Sequence, residues 1–407
     1  MGRVRDRAVA DNERETPPAT PALQPSDSRR AAWRAVTLGD ITFLSWILLL
    51  ALGTGFLLTM VGSPHTSSTK TATSATATTA SSATVASSNA TATVRAAQAK
   101  VYPMPVADAG LMQPAVDQAG NIWVGEMTLN KLARLDARTG KLSEWTPPNG
   151  NYNIMQTAVD ADGNVWFTEQ ASNYIGRFDP KTQTFKTYPL DKVNGRSAGP
   201  QDLQFDAGGN LWFTELSGGR IGRLDPATGN IREWTIPAPR SGAQSYPYSL
   251  AVTSGGEIWF GYLTGGAVGR LDPASGKVTV YKLANASAAV FAMAPDGNGH
   301  VWFTEMQPAR LGRIDTRTHA VSEMAVPSKL GDPATLYAVK VTKNGDVWFA
   351  SAGANAIVRY QPSANAFHFY QLATPQSIPY GLDLDVTGHV WFSADGGSGN
   401  YVGMVAP

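Results

Sequence analysis

Cysteine is absent from this 407-residue chain, which excludes disulfides, thiolate nucleophiles and thiolate metal ligands. That absence suits either side of a bacterial membrane, so location has to be read from other features. Net charge is nearly absent as well: 33 Lys and Arg against 32 Asp and Glu give a formal +1. No Lys/Arg cluster offers a polyanion a footprint, so nucleic acid is not expected as a partner. Histidine is scarce, with five in the whole chain. Long apolar runs are absent with one exception, "ITFLSWILLLALGTGFLLTMVG", Ile41 to Gly62, which carries no charge. As a helix it would be about 33 Å long, enough to cross a bilayer once.

That exception divides the chain. Residues 1–40 are polar and Arg-rich with no apolar periodicity, and they read as a disordered tail. Arg29, Arg30 and Arg34 precede the apolar run while only Lys70 follows at a comparable distance. The bias predicts a single-pass signal-anchor over 41–62, with a cytoplasmic N-terminus and a periplasmic or extracellular C-terminal bulk. A cleaved signal peptide is the competing reading, although the run is long and no small-x-small site follows it directly. Ala51 and Gly55 make a small-xxx-small pair, a weak signal for a homodimer through the helix. Residues 63–99, dominated by Ser, Thr and Ala, read as a flexible linker with a reach on the order of 35 Å. Asn89-Ala90-Thr91 within it matches a glycosylation sequon.

What is abundant begins at residue 100. Gly 40, Pro 26 and eleven Trp indicate many short strands and tight turns. "NIWVGE", "NVWFTE", "NLWFTE", "EIWFGY", "HVWFTE", "DVWFAS" and "HVWFSA" centre on Trp123, Trp166, Trp212, Trp259, Trp302, Trp348 and Trp391, at spacings of 43, 46, 47, 43, 46 and 43. A period in the forties built from strands and turns predicts an all-β, seven-bladed β-propeller over 100–407. The last repeat stops at "YVGMVAP", after a third strand, while "KVYPMPV", Lys100 to Val106, reads as a fourth strand with no unit before it. The N- and C-terminal strands are therefore expected to pair and close the ring.

Within the repeat an Arg follows the Trp by eleven residues in six units: Arg134, Arg177, Arg223, Arg270, Arg313 and Arg359. This offset predicts guanidinium–indole contacts across a hairpin. The same register sets Glu126 against Lys131, Glu215 against Arg220 and Glu305 against Arg310, expected as ion pairs at the rim. "DADGN", Asp160 to Asn164, alternates carboxylates but lacks the further ligands of a calcium loop and reads as a β-turn. Groups repeated in every blade are expected to be scaffold, since a catalytic group is needed once.

The pattern "D-x-x-G-x-Ψ-W-F-T-E…I-G-R-Ψ-D-P-x-T-G…E-W-x-Ψ-P", with Ψ apolar, resembles the virginiamycin B lyase (streptogramin lyase) family over about 101–407. The resemblance implies a carbon–oxygen lyase that linearises a cyclic depsipeptide by elimination. It also implies a His general base in a "P-H-G-I" segment eleven residues before a blade Trp, and Mg²⁺ held by acidic groups. The positions eleven before the Trp residues are Met112, Met155, Gln201, Tyr248, Tyr337 and Tyr380, with Ala289 assigned in the fifth unit by allowing for two extra residues in "DGNGHVW". None is His, and Ile378 stands where an acidic metal partner is expected. His65 lies in the linker, and His300, His319, His368 and His389 fall at turns and outer strands.

Propeller ligands sit over the central channel, at the end where inner strands begin. Tyr248, Tyr337, Tyr380, Gln201 and Met112 are expected to converge there, with Tyr246 and Tyr262 at the rim, as a site for a small-molecule or peptide ligand. The alternative is that the rings plug the mouth. Three functions follow: a membrane-anchored binding propeller without chemistry; a lyase or hydrolase of a cyclic ester, depsipeptide or lactone using Glu126, Glu169 or Glu215 with a metal; or a structural envelope component. No cofactor is evident in the sequence, and Mg²⁺ enters through the resemblance alone.

Overall fold

The structure, a computed structural model, describes residues 77–80, 83–86, 89–148, 153–306, 308–330, 335–396 and 399–406. The tail at 1–40 and the apolar run at 41–62 lie outside the described residues, so the expected membrane span is not among them. Among the described residues no helix is long and apolar enough to cross a membrane.

Seven sheets form, one per repeat, and each inner strand contacts the next around the ring, including Pro379–Leu384 against Ala115–Val116. The seven-bladed propeller expected from the period is what the chain builds. Blade 2 shows the local logic. Asp160 Oδ1 accepts hydrogen bonds from the N–H groups of Asp162 (3.0 Å) and Asn164 (2.8 Å), while Oδ2 accepts from the Trp166 indole at 2.8 Å. The carboxylate is spent on its own turn and on the following Trp. Asp117, Asp206 and Asp385 hold Trp123, Trp212 and Trp391 in the same way.

Trp166 then lies directly opposite Arg177, and the guanidinium stands 5.8 Å from the indole centroid. Arg134, Arg223, Arg313 and Arg359 repeat this contact at 5.6 to 5.8 Å, within cation–π range. Blade 4 keeps the cross-strand register but turns Arg270 toward Glu257 and His319. In five blades the Phe after the Trp covers a Gly on the facing strand. A Cβ on Gly176, Gly222, Gly269, Gly312 or Gly403 would lie 2.0 to 2.2 Å from the ring of Phe167, Phe213, Phe260, Phe303 or Phe392. The Thr that follows joins blades: Thr168, Thr214 and Thr304 hydroxyls donate to the carbonyls of Gln201, Tyr248 and Tyr337 on the next inner strand.

The rim ion pairs need correction. Glu126, Glu215 and Glu305 are all buried, at 1% exposure or less. Only Glu215 pairs with its cross-strand Arg220, whereas Lys131 pairs with Glu144 and Arg310 with Glu323 on the outer strands. Each of these three blades thus encloses two carboxylates around one cation: Glu126–Lys131–Glu144, Glu215–Arg220–Glu233 and Glu305–Arg310–Glu323. Burial and the neighbouring carboxylate raise Glu126 to about 7 and hold Glu215 and Glu305 still higher, so Glu215 and Glu305 are protonated at neutral pH while Glu126 divides between its two forms.

Ring closure follows the sequence reading: Gly399–Val405 pairs with Ala99–Pro103 as the third and fourth strands of blade 7. The segment just before it departs from the flexible linker expected. Ala77–Ala80, Thr84–Ala86 and Thr91–Ala96 add in parallel to the outer strands of blades 4, 5 and 6, at Lys277–Lys282, Val321–Ala325 and Ala366–Gln371. These three strands and the closing one begin at residues 77, 84, 91 and 99, one short strand per blade. The reason is in the backbone. A composition with little to bury can still satisfy the unpaired N–H and C=O groups of an outer edge. One stretch also has side-chain contacts: Arg95 bonds the Tyr370 hydroxyl at 2.9 Å and lies over its ring, and Thr93 meets His368 at 2.8 Å.

Candidate functional site

Every inner strand from blade 2 to blade 7 enters the channel through a β-bulge at its start, which turns the residue eleven before the blade Trp toward the axis. These positions are Met112, Met155, Gln201, Tyr248, Phe291, Tyr337 and Tyr380. Phe291 replaces Ala289 in this set. Ala294 opposes Trp302 at the same offset of eight as Ala158 opposes Trp166, so the fifth unit carries no extra residues.

The mouth has two unlike arcs. Blades 4 to 7 contribute an aromatic arc. Centroid separations are 4.7 Å for Tyr248–Phe291, 4.8 Å for Phe291–Tyr337, 5.0 Å for Tyr337–Tyr380 and 5.4 Å for Phe291–Tyr380. The Tyr248 and Tyr380 hydroxyls meet at 3.2 Å. Blades 1 to 3 contribute Met112, Met155 and Gln201, the last accepting from Gln170 Nε2 at 2.7 Å. All seven are buried. Burial pushes the phenols of Tyr248, Tyr337 and Tyr380 well above the ordinary tyrosine range, so each is a neutral hydrogen-bonding group.

The two rim residues behave differently. Tyr262 is not at the channel rim: it is fully buried between blades, against Phe260, and its hydroxyl donates to Pro237 O at 2.8 Å. Tyr246 is half-buried in the segment leading into the inner strand of blade 4, where its carbonyl accepts from Leu263 N–H at 2.9 Å.

Below the aromatic arc the channel is polar, a layer that single-residue counting from the Trp does not reveal. Gln204 clasps the neighbouring inner strand, donating to Leu250 O at 2.6 Å and accepting from Val252 N–H at 3.2 Å. Gln113 does the same to Leu382 across the closure between blades 7 and 1. Asp202 accepts from Leu250 N–H at 2.8 Å, and Asp383 accepts from Val116 N–H at 2.7 Å. Lys340 reaches Asp383 at 3.1 Å. Burial raises the Asp202 carboxyl to about 7, against the pull of the Leu250 and Leu203 amides and of Lys340. The cavity between the cap and this layer, lined below by Gln113, Asp202, Gln204 and Lys340, has a volume of about 50 Å³. That is room for a few waters or one small head group, well below the several hundred Å³ of a drug-sized pocket.

The four histidines among the described residues stay away from this mouth. His300 and His389 bond Asp296 and Asp385 within their own turns, at 2.9 and 3.1 Å. His319 meets Arg270 at 3.0 Å, and His368 meets Thr93 and Gln361 on the outer edge of blade 6. Divalent metal finds no donor set either. Among the described residues no three His, Cys, Asp or Glu side chains gather as a metal requires, and Glu126, Glu169 and Glu215 belong to three separate blades. The residues present therefore do not fit the Mg²⁺ that the family pattern implies.

Comparison with known proteins agrees with this architecture. The sequence profile of the virginiamycin B lyase family matches residues 97–399. No curated protein matches the chain. Among solved structures, a streptogramin B lyase is 29% identical, covering 76% of this chain and 97% of its own, with a TM-score of 0.67. Selenomethionine-substituted virginiamycin B lyase from Staphylococcus aureus is 27% identical over 76% of this chain and 99% of its own, with a TM-score of 0.67. A catalytically inactive His-to-Ala variant of the Staphylococcus aureus enzyme, solved with quinupristin, matches at 27% identity, the same shares of both chains and the same TM-score.

Proposed function

This chain belongs to the virginiamycin B lyase family, and from that premise we propose that it is a binding member: it holds a small-molecule or peptide ligand over its channel mouth and does not run the elimination. One observation carries the reading. Where the family pattern puts a general base, eleven residues before a blade Trp, this chain carries an arc of four packed rings, Tyr248, Phe291, Tyr337 and Tyr380. A phenol held above its ordinary pKa cannot take a carbon-bound proton at neutral pH. Rings with hydroxyl tips can cover an apolar or cyclic ligand face-on and offer it a few hydrogen bonds.

The same reading includes the cellular setting. The uncharged run at 41–62, with arginines before it and almost no cations after it, supports a single-pass anchor with a cytoplasmic N-terminus and an exported propeller. The Ala51/Gly55 pair supports a weak homodimer through that helix. Nucleic acid has no place in this function, because no basic face is available to hold it.

The test is to incubate the purified chain with a streptogramin B depsipeptide, with and without Mg²⁺, while following linear product and intrinsic fluorescence. We expect no linear product above the uncatalysed rate and a saturable fluorescence change that Tyr380→Phe weakens. Metal-dependent ring opening would overturn the reading in favour of a lyase with a relocated acid/base set.

A further inference from the structure

The seven inner strands carry three charged residues between them: Asp202 in blade 3, Lys340 in blade 6 and Asp383 in blade 7. All lie in the polar layer beneath the aromatic arc. Lys340 is committed to Asp383 at 3.1 Å, and Asp383 has a second partner in Val116 N–H. Among the described residues Asp202 is matched only by two backbone amides, of Leu203 and Leu250, each at 2.8 Å. The layer thus holds two carboxylates and one ammonium, and Asp202 lacks a cation within ion-pair distance. The 50 Å³ cavity lies between that carboxyl and the rings of Tyr248, Phe291 and Tyr380. Aromatic faces carry negative potential and attract cations, most strongly where water is excluded.

We propose that this well receives a protonated amine, with the ammonium or alkylammonium head of the ligand set against Asp202 and beneath the faces of Tyr248, Phe291 and Tyr380. The inference rests on the channel mouth being a ligand site and adds the chemical class of the ligand. An ammonium supplies the missing positive charge. Its N–H groups find the Asp202 oxygens and the surrounding amide oxygens, and its methylene groups lie against the rings. An anion would meet the Asp202 carboxylate, with Lys340 already paired to Asp383, and a neutral hydroxyl would leave Asp202 without a partner charge. Entry requires the Tyr248–Tyr380 hydroxyl contact to part, since all four rings of the arc are buried. The titratable groups facing Asp202 across the channel are Lys340, Tyr248 and Tyr380, and burial keeps the phenols neutral, so its carboxyl is the group whose ionisation governs the well.

Titration calorimetry of the whole chain at pH 8 with n-butylammonium, 1-butanol and butyrate tests this. Butylammonium should bind at least tenfold more tightly than butanol, and butyrate should not bind. The preference should shrink at pH 5.5, where Asp202 is protonated. Asp202→Asn should abolish the preference, and Lys340→Met, which removes the resident cation and keeps the carboxylates, should strengthen butylammonium binding several-fold. Because Lys340→Met reports in the opposite direction, a folding defect in one variant cannot imitate the result. Equal binding of butanol and butylammonium, or unchanged selectivity in Asp202→Asn, overturns the cation assignment and leaves the channel site standing. Failure of all three probes overturns both.

Discussion

At the residue scale the most consequential side chains are the carboxylic acids that the repeat buries. Glu305 sits against Glu323 with one arginine between the two, and burial followed by that neighbour pushes it up to about 9. In the unfolded chain it titrates near 4.5. The folded state therefore holds a proton that the unfolded state releases, and this contribution to stability is present in acid and lost as pH rises from about 4.5 through about 9. Glu305→Gln keeps the shape without the proton. It should leave the thermal midpoint unchanged near pH 4 and raise it at pH 8, measured by differential scanning fluorimetry at both values. A midpoint lowered at pH 8 would mean that the ionised form is the stable one. The sequence disclosed where these Glu stand but not their state, because cross-strand spacing reports register and is silent about depth. Tyr262 follows the same rule: it occupies the Glu position, and that position faces the neighbouring blade rather than the mouth. Phe291 is hidden by the apparent two-residue excess in "DGNGHVW", which the pairing of Ala294 with Trp302 removes.

At the element scale the hairpins were legible and the outer additions were not. The Trp-to-Arg offset of eleven follows from a two-stranded register that any copy of the motif must reproduce, so the sequence alone sufficed. The Ala/Thr strands at 77–96 bring no apolar alternation. They pair through backbone groups, which residue patterns do not display, and their composition is that of a coil. The pairing has a direct consequence for amide exchange. Outward-facing amides of Lys277–Lys282, Val321–Ala325 and Ala366–Gln371 are covered, whereas those of Lys141–Trp145, Thr184–Pro189 and Ile231–Thr235 in blades 1 to 3 have no fifth strand among the described residues. Hydrogen–deuterium exchange should show the first group slower by about tenfold or more, in line with protected against open edges. Thr93→Pro removes a donor from Thr91–Ala96 and should return Ala366–Gln371 to the rate of the uncovered strands. Equal rates in all six strands would refute the pairing.

At the scale of the whole molecule, stability depends on closure. Gly399–Val405 bonds Val390–Gly396 on one side and Ala99–Pro103 on the other, so its removal opens two sheet interfaces at once and exposes the first and last blades. A chain ending at residue 398 should lose the single cooperative unfolding transition, a loss on the order of the full 5–15 kcal/mol that stabilises a domain. Calorimetry showing an intact transition in that truncation would contradict the latch. Closure was readable in advance because the repeats begin out of phase, a property of order along the chain rather than of any residue. The latch also sets a timetable for synthesis. The earliest of the described strands, 77–80 to 99–103, belong to blades completed only by residues 277 to 405, so they wait through the synthesis of most of the ring for their partners. The circle is tied only once residues 399–405 have been made, and until then the nascent polypeptide is an open arc whose ends need safekeeping.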